Sequence, residues 1–464
     1  MKILIPFWLR RNLKQGRILI IYSLGFALLL LNAFIYSGRY AADLDTQSTQ
    51  IRGLKERIER ITTPDTLAGS SVPIIMPPSR YRFLVDNNLE DVPTERWVSP
   101  HNAFLPTNAN NQRQQVIGLW DIDLSFLVGI IFTFLAVVLT FDSISGEREQ
   151  GTLKLLMTTG VSRASIVISK IVSSIIALAM PLLLGLIVNY LYLNFAGVMV
   201  LSADNLFLYG LFFFFALLLL SFFVSLGVLI SSLTRNSITS LVVLLLIWVS
   251  MVIVVPGIAK PITKETVGAM TPEEYSNAQN AVGDEMFEDY KRTGAMDRPP
   301  EMAKADNWSG EIKWNTIRAK FLNSRQTIID DHLRDLYLQA RSAQNISRLT
   351  PTMVFNLAVS RAVGNDFGTV SEFHEQVKRY RTVLKEFMAA QDALDNESPH
   401  LLNSDGRGYL STKPFNAELP LFEYQRTSLA TRIGDTFFDV LILFSLSMVA
   451  MVVAVFAFNR YDVR

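Results

Sequence analysis

The stretch LFLYGLFFFFALLLLSFFVSLGVLISSL, residues Leu206–Leu233, contains no charged side chain. At about 1.5 Å of rise per residue it outreaches a lipid hydrocarbon core of ~30 Å, which takes about 20 helical residues to cross. Five further runs read the same way: Ile18–Tyr36, Leu124–Phe141, Ile166–Phe195, Ile238–Ile258 and Val440–Phe458. An Asp or Lys at mid-membrane costs ~3 kcal/mol on insertion scales, so long segments free of charge are what lipid selects. Buried helices of a large soluble protein would show a polar face, and these runs lack one. The expected fold is an all-α polytopic membrane protein. Its six transmembrane helices fall at 18–37, 124–141, 166–195, 206–233, 238–258 and 437–458.

Composition agrees. Half of the 464 residues are hydrophobic and only 18% are charged, against about 25% in a soluble domain. The net charge of +1 provides no basic field, so nucleic acid is not an expected partner. With no Cys, disulfides, thiol nucleophiles and thiolate metal sites are excluded.

Lys and Arg in the short segments set the orientation. Lys2, Arg10, Arg11, Lys14 and Arg17 precede the first run; Arg148, Lys154, Arg163 and Lys170 follow the second; Arg235 links the fourth and fifth; Arg460 and Arg464 end the chain. All fall on one side if six spans alternate, whereas the link Ala196–Asn205 has no Lys or Arg. Both termini and 142–165 are therefore expected in the cytoplasm, with 459–464 as a short tail. The first run lacks a clear small-x-small cleavage site and reads as a retained span. Residues 1–17 mix Ile3, Ile5, Phe7, Trp8 and Leu13 with cations, which fits an interfacial helix on the membrane surface or a simple topogenic flank.

Two regions are left on the far side. The insert 38–123 opens with Leu44, Ile51, Leu54, Ile58 and Ile61, whose spacing predicts a helix packed along one seam. A Pro-rich stretch follows (Pro73, Pro77, Pro78, Pro93, Pro100, Pro106), which excludes regular helix there. Region 259–436 is long enough for a mainly helical domain. Helices are expected from Pro272, over Ile312–Ser342, Pro351–Val363 with Thr350 as N-cap, and Phe367–Leu394, before a polar loop Asn396–Pro420.

The segment most suited to chemistry or coupling is DSISGEREQGTLKLL, Asp142–Leu156. Glu147, Arg148, Glu149 and Gln150 form a dense polar cluster, Gly151 permits a sharp turn, and Leu153, Leu155 and Leu156 supply an apolar surface. A charged flank that only sets topology would also account for this composition. The string GEREQGTL, followed by Val161-Ser-Arg163 and Lys170, resembles the signature of ABC-2 type permeases of ATP-binding-cassette transporters. The match runs through Glu147, Arg148, Glu149, Gly151, Thr152, Leu153, Arg163 and Lys170, with Gln150 inside it; Gly160 departs from the Pro found in many members. Leu349-Thr-Pro351, Ala362–Asp366, Phe373-His374, Lys378–Arg381 and the ending Asn459–Arg464 are similar to a subgroup with a large domain between the last two spans.

The resemblance implies a coupling helix, exposed to dock on a cytoplasmic nucleotide-binding ATPase subunit. It also implies a second permease subunit (a homodimer or a paralogue), a bacterial inner-membrane location amid lipid, and export. The chain has no G-x-x-x-x-G-K-[ST] loop. It is thus expected to be no enzyme and to hold no cofactor itself, with ATP and Mg bound by the partner. The other reading is a non-transporting scaffold or sensor whose outer domain binds a ligand or partner. No substrate site is legible. His101, His332, His374 and His400 are scattered, and Asp330-Asp331-His332, with Asp335 nearby, would need more ligands converging from elsewhere to hold a metal. Lys170 and Asp439 lie near span ends, so no ionisable residue is expected deep in a span.

Overall fold

A computed structural model describes residues 4–13, 16–77, 79–86, 95–104, 123–158, 160–293, 309–402 and 409–460. Lys2, Ile3, Lys14, Pro78, Pro93, Pro106 and the tail residues 461–464 lie outside the described residues.

Among the described residues, six helices are long and apolar enough to cross a membrane. After the short α1 (Leu4–Leu13), α2 (Gly16–Glu59) carries the first of them and continues without a break into the predicted seam helix. The helix runs through residue 38 without a break, since no proline lies between Gly16 and Glu59 to remove a backbone donor. Next come α3 (Pro64–Ala68), then β1 (Val72–Ile75), β2 (Glu95–Val98) and β3 (Ala103–Phe104) in one antiparallel sheet of order β1-β2-β3. Pro73 is tolerated because β1 is an edge strand. The second span is α4 (Leu124–Phe126), a π-helical stretch Leu127–Phe132, and α5 (Thr133–Thr140). Two short helices follow, α6 (Ser145–Glu149) and α7 (Thr152–Met157), then the third and fourth spans, α8 (Arg163–Phe195) and α9 (Ala203–Leu233).

The fifth span joins α10 (Ser237–Val249), a π-helical stretch Ser250–Val254 and α11 (Val255–Thr266), so the helix continues past residue 258. The large region then forms α12 (Pro272–Thr293), α13 (Ser309–Ser347), α14 (Pro351–Val363) and α15 (Phe367–Asp392), and α16 (Leu429–Asn459) is the sixth span. Helix starts follow the sequence chemistry: Ser162, Ser202, Asn236, Asp366 and Ser428 each cap the helix they precede, accepting an amide of its first turn. Thr350 does not. Its hydroxyl donates back to the Ser347 carbonyl at 3.1 Å, which leaves it no part in capping α14.

Small residues bring the spans together. A Cβ on Gly227 would sit 1.9 Å from Thr140 Oγ1, and one on Gly185 would sit 2.1 Å from Leu29 Cδ1, so only glycine lets α9 meet α5 and α8 meet α2 this closely. Polar cross-links add direction. Asn189 donates to the Leu29 carbonyl (2.9 Å) and accepts from the Tyr209 hydroxyl (2.9 Å), tying α2, α8 and α9. Trp248 donates its indole N–H to Thr133 Oγ1 at 3.0 Å, where the π-helical stretch of the second span ends.

Helix α14 belongs to the same core as the spans. Val354, Phe355, Ala358, Val359, Ala362 and Val363 are buried with them, and the Phe355 ring meets Phe212 of α9 edge-on at 5.7 Å. The loop region is therefore no appendage on a linker: one of its helices plugs the end of the bundle. Helix α15 covers the sheet through Phe373, Val377 and Leu384 packed on Ile74 and Val98. The loop after it is pinned by Asp392, which accepts from Ser398 Oγ at 2.6 Å and Ser411 N at 2.7 Å, and lies 2.6 Å from the His400 ring.

His332 stacks on Tyr275 at 4.4 Å across the α12–α13 pair, while Asp330 turns to Lys378 and Asp331 to Arg334. These three neighbours in sequence do not converge. Burial holds the His332 pKa below its usual 6.5, against a smaller pull from Asp335. Its protonation is thus weaker in the folded than in the unfolded chain. Stability should fall as pH drops below about 6.5 and level off below the folded pKa. Protection factors across α12 and α13, corrected for the pH dependence of intrinsic amide exchange, are expected to fall between pH 7.5 and 5.5, and His332→Phe is expected to abolish that part of the change.

Candidate functional site

Between α5 and α8 the chain doubles back through two short helices. Gly151 sits between them with φ +71°, a conformation that side chains disfavour, and this turn sets α7 against α6. Gly160, with φ +72°, makes the second turn into α8. The amides of Ile144 and Ser145, at the start of α6, both donate to Ser231 Oγ of α9 at 3.0 Å.

Within the acidic–basic cluster Glu147 points inward, whereas Glu149 and Gln150 are exposed. Glu147 is 3% exposed and receives Arg11 at 2.8 Å and Lys170 at 2.9 Å. Lys170 also donates to the Ser143 carbonyl, and its ammonium stands 4.0 Å over the Trp8 ring of α1. The N-terminal helix is thereby docked on α8 and on the segment, with Trp8 buried at 5% exposure. Arg148 donates to the carbonyls of Thr234 (2.6 Å) and Ser232 (3.0 Å), acceptors left without helical partners where α9 ends. Glu149, though exposed to solvent, accepts from the amide and hydroxyl of Ser237 at 2.8 and 2.9 Å, at the positive end of α10. Arg163 donates to the Asn459 carbonyl at 2.9 Å, at the end of α16.

Three consecutive charged side chains thus hold one short segment to α1, α8, α9 and α10. Burial of Glu147 is supportable only because two cations meet it; losing either would leave a charge in a low-dielectric site. What the segment offers outward is its apex. Gln150, Thr152 and Lys154 are exposed, Leu155 is 70% exposed, and Leu153 is folded under at 3%. Thr152 also donates to the Glu147 carbonyl at 3.2 Å, bracing the turn. Sequence reasoning named the segment but missed Ser231, Ser237 and the α9 carbonyls. It read Trp8 and Arg11 as part of an interfacial helix or a topogenic flank and did not name their contacts with Lys170 and Glu147.

At the opposite end of the bundle lies a second ionic site. Asp439 of α16 is fully buried and holds Arg348 (2.9 Å) and Arg361 together, one from the end of α13 and one from α14. It ties α13 and α14 to the sixth span, and nothing in the sequence around Asp439 announces its partners.

The family described as ABC-2 family transporter protein matches residues 10–463, nearly the whole chain. No curated protein matches it.

Proposed function

The chain belongs to the ABC-2 family, a multi-pass membrane permease of ATP-binding-cassette transporters that in general works with an ATPase subunit, and from that premise we propose that the α6–α7 apex is where the ATPase docks. The observation that carries this reading is the division of the segment into an anchored interior and a free apex. Glu147, Arg148 and Glu149 fasten it to the ends of α8, α9 and α10, while Gln150, Thr152, Lys154 and Leu155 face solvent. A push on the apex is delivered to three spans at once, because the clamps are short hydrogen bonds to helix ends.

In this reading the end bearing α1 and α6 lies in the cytoplasm of a bacterial cell, at the inner membrane, and the end bearing α14 lies outside. ATP and Mg are held by the partner, in keeping with the absence of a phosphate-binding loop from this sequence. The apolar exposed flanks of the fifth and sixth spans, each with about 22% of its apolar window buried, suit lipid and a second permease subunit, identical or paralogous. Export is the direction proposed.

Leu155→Asp is the direct test, since the side chain touches nothing the fold needs. Co-purification of the ATPase from native membranes should fall at least tenfold, with permease yield and thermal stability unchanged. An undiminished ATPase band, or a native complex with no nucleotide-binding subunit at all, sinks the proposal and favours a scaffold or sensor.

A further inference from the structure

Spans two and five each widen into a π-helical stretch, Leu127–Phe132 and Ser250–Val254. There the backbone bonds one residue further back than in an α-helix: the Thr133 amide reaches the Val128 carbonyl, and the Val255 amide the Ser250 carbonyl. The cause in span five is local. Pro256 has no N–H, so the Val252 carbonyl lacks the donor that an α-helix would give it. A hydroxyl beside each stretch bonds back to the main chain, Thr133 to Gly129 at 2.6 Å and Ser250 to Leu246 at 2.8 Å. Such back-bonding keeps polar groups satisfied where a span is irregular.

The two stretches are joined to each other. Thr133 and Trp248 lie just on the α6 side of them. The Trp248 indole N–H donates to Thr133 Oγ1 at 3.0 Å, and its ring meets Phe134 edge-on at 5.4 Å. Toward α6, both half-spans hold the same segment: α5 leads through residues 141–144 into α6, and Glu149 grips Ser237 at the start of α10. Toward the other end, α14 packs against both stretches, and α11 lies on α13. The first amides of span two, on Leu124 and Ser125, donate to the carbonyls of the buried Phe83 and Leu84 at 2.8 Å. Each span therefore has two anchored ends with one irregular stretch between them.

We propose that Leu127–Phe132 and Ser250–Val254 form one paired hinge, across which α5 and α10 swing as a unit while the ends beside α14 stay in place. The docking reading supplies only what drives the swing; the hinge is a property of the fold itself. A regular helix resists bending through its ladder of bonds, and a shifted ladder gives way first. The Thr133 amide is already shared between the Ile130 and Val128 carbonyls, so a small rotation passes it from one to the other without leaving a donor unpaired. The bond from Trp248 to Thr133 makes the two bends simultaneous, since neither span can bend alone without breaking it.

The test is hydrogen exchange on the full chain in lipid nanodiscs, with its ATPase co-purified. Without nucleotide, amides over 128–133 and 250–255 should exchange at least tenfold faster than those over 135–140 and 240–248 of the same spans. Trp248→Phe keeps a ring on Phe134 and donates nothing; it should speed exchange at least threefold in both stretches, including the one in span two. Pro256→Ala restores a donor and should slow exchange over 250–255 at least fivefold. ATP with vanadate should change exchange at the two stretches at least threefold and leave α9 and α16 as they were. Leu155→Asp should remove that nucleotide response and keep the nucleotide-free pattern, which separates a failure of docking from a failure of the hinge. Stretches as protected as their flanks, a Trp248→Phe effect confined to span five, indifference to Pro256→Ala, or a nucleotide response spread evenly along both spans would each overturn the proposal.

Discussion

Glu147→Gln is expected to destabilise the end of the bundle bearing α6 by about 3–5 kcal/mol, the usual cost of removing one partner from a buried ion pair. The neutral amide fills the same space, so packing is kept and only charge is lost. Lys170 is 4% exposed, and without Glu147 its ammonium faces the Arg11 guanidinium with only the weaker pull of Asp142 to offset it. The Trp8 ring offsets only part of that, since a cation–π contact contributes about 0.5–2 kcal/mol. Helix α1 should therefore leave α8. Hydrogen exchange over residues 4–13 is expected to rise by at least two orders of magnitude, with a matching drop in melting temperature in detergent. Glu149→Gln gives the contrast: exposed to solvent and acting as a cap on α10, it should cost about 0.5–1 kcal/mol and leave α1 protected. Equal effects from the two substitutions would contradict the assignment of Glu147 as the buried hub. Loss of ATPase pairing in a Glu147 variant would follow from a deformed segment, not from a missing contact, which is why Leu155→Asp is the cleaner probe of docking.

The spans were legible because lipid imposes a one-dimensional rule: length without charge. Leu206–Leu233 satisfies it alone, and α9 runs over nearly those residues. Pro351 and Gly364 bracket α14 for equally local reasons, a fixed proline φ at one end and a left-handed glycine at the other. What α14 packs against was not legible. Its apolar positions fit a soluble core as well as a plug against Phe212, and periodicity cannot tell the two apart. The strands are two to four residues long, too short for an alternating pattern to stand out.

At the candidate site, residue identity was readable and direction was not. A charged cluster beside a membrane is ordinarily solvated, so Glu147 was expected outside. Its burial depends on Lys170, whose place in the signature does not say which way it faces, and on Arg11, which is 136 positions away. Arg148 is satisfied by main-chain carbonyls of Ser232 and Thr234, which leave no trace in side-chain chemistry. Only the end of one helix meeting the start of the next, at Thr234–Ser237, places acceptors and donors where Arg148 and Glu149 need them.

Asp439→Leu should be about as damaging at the other end, again by about 3–5 kcal/mol, because two arginines lose their shared carboxylate. Arg348 and Arg361 are each 20% exposed in their side chains and Asp439 is 0% exposed, so water relieves the cations only in part. Leucine fits an apolar site well in itself; the cost is borne by the guanidiniums it leaves behind. That account makes a specific demand of the triple variant Asp439→Leu, Arg348→Met, Arg361→Met. With all three charges gone, the melting temperature should return to within a few degrees of the parent, since an apolar replacement of a buried ion cluster is often neutral or stabilising. The single variants and the triple should differ by a coupling of at least 2 kcal/mol in the corresponding cycle. If Asp439→Leu alone is harmless, the cluster is no tie. If the triple variant is as unstable as the single one, the damage lies in packing at α14 and not in charge.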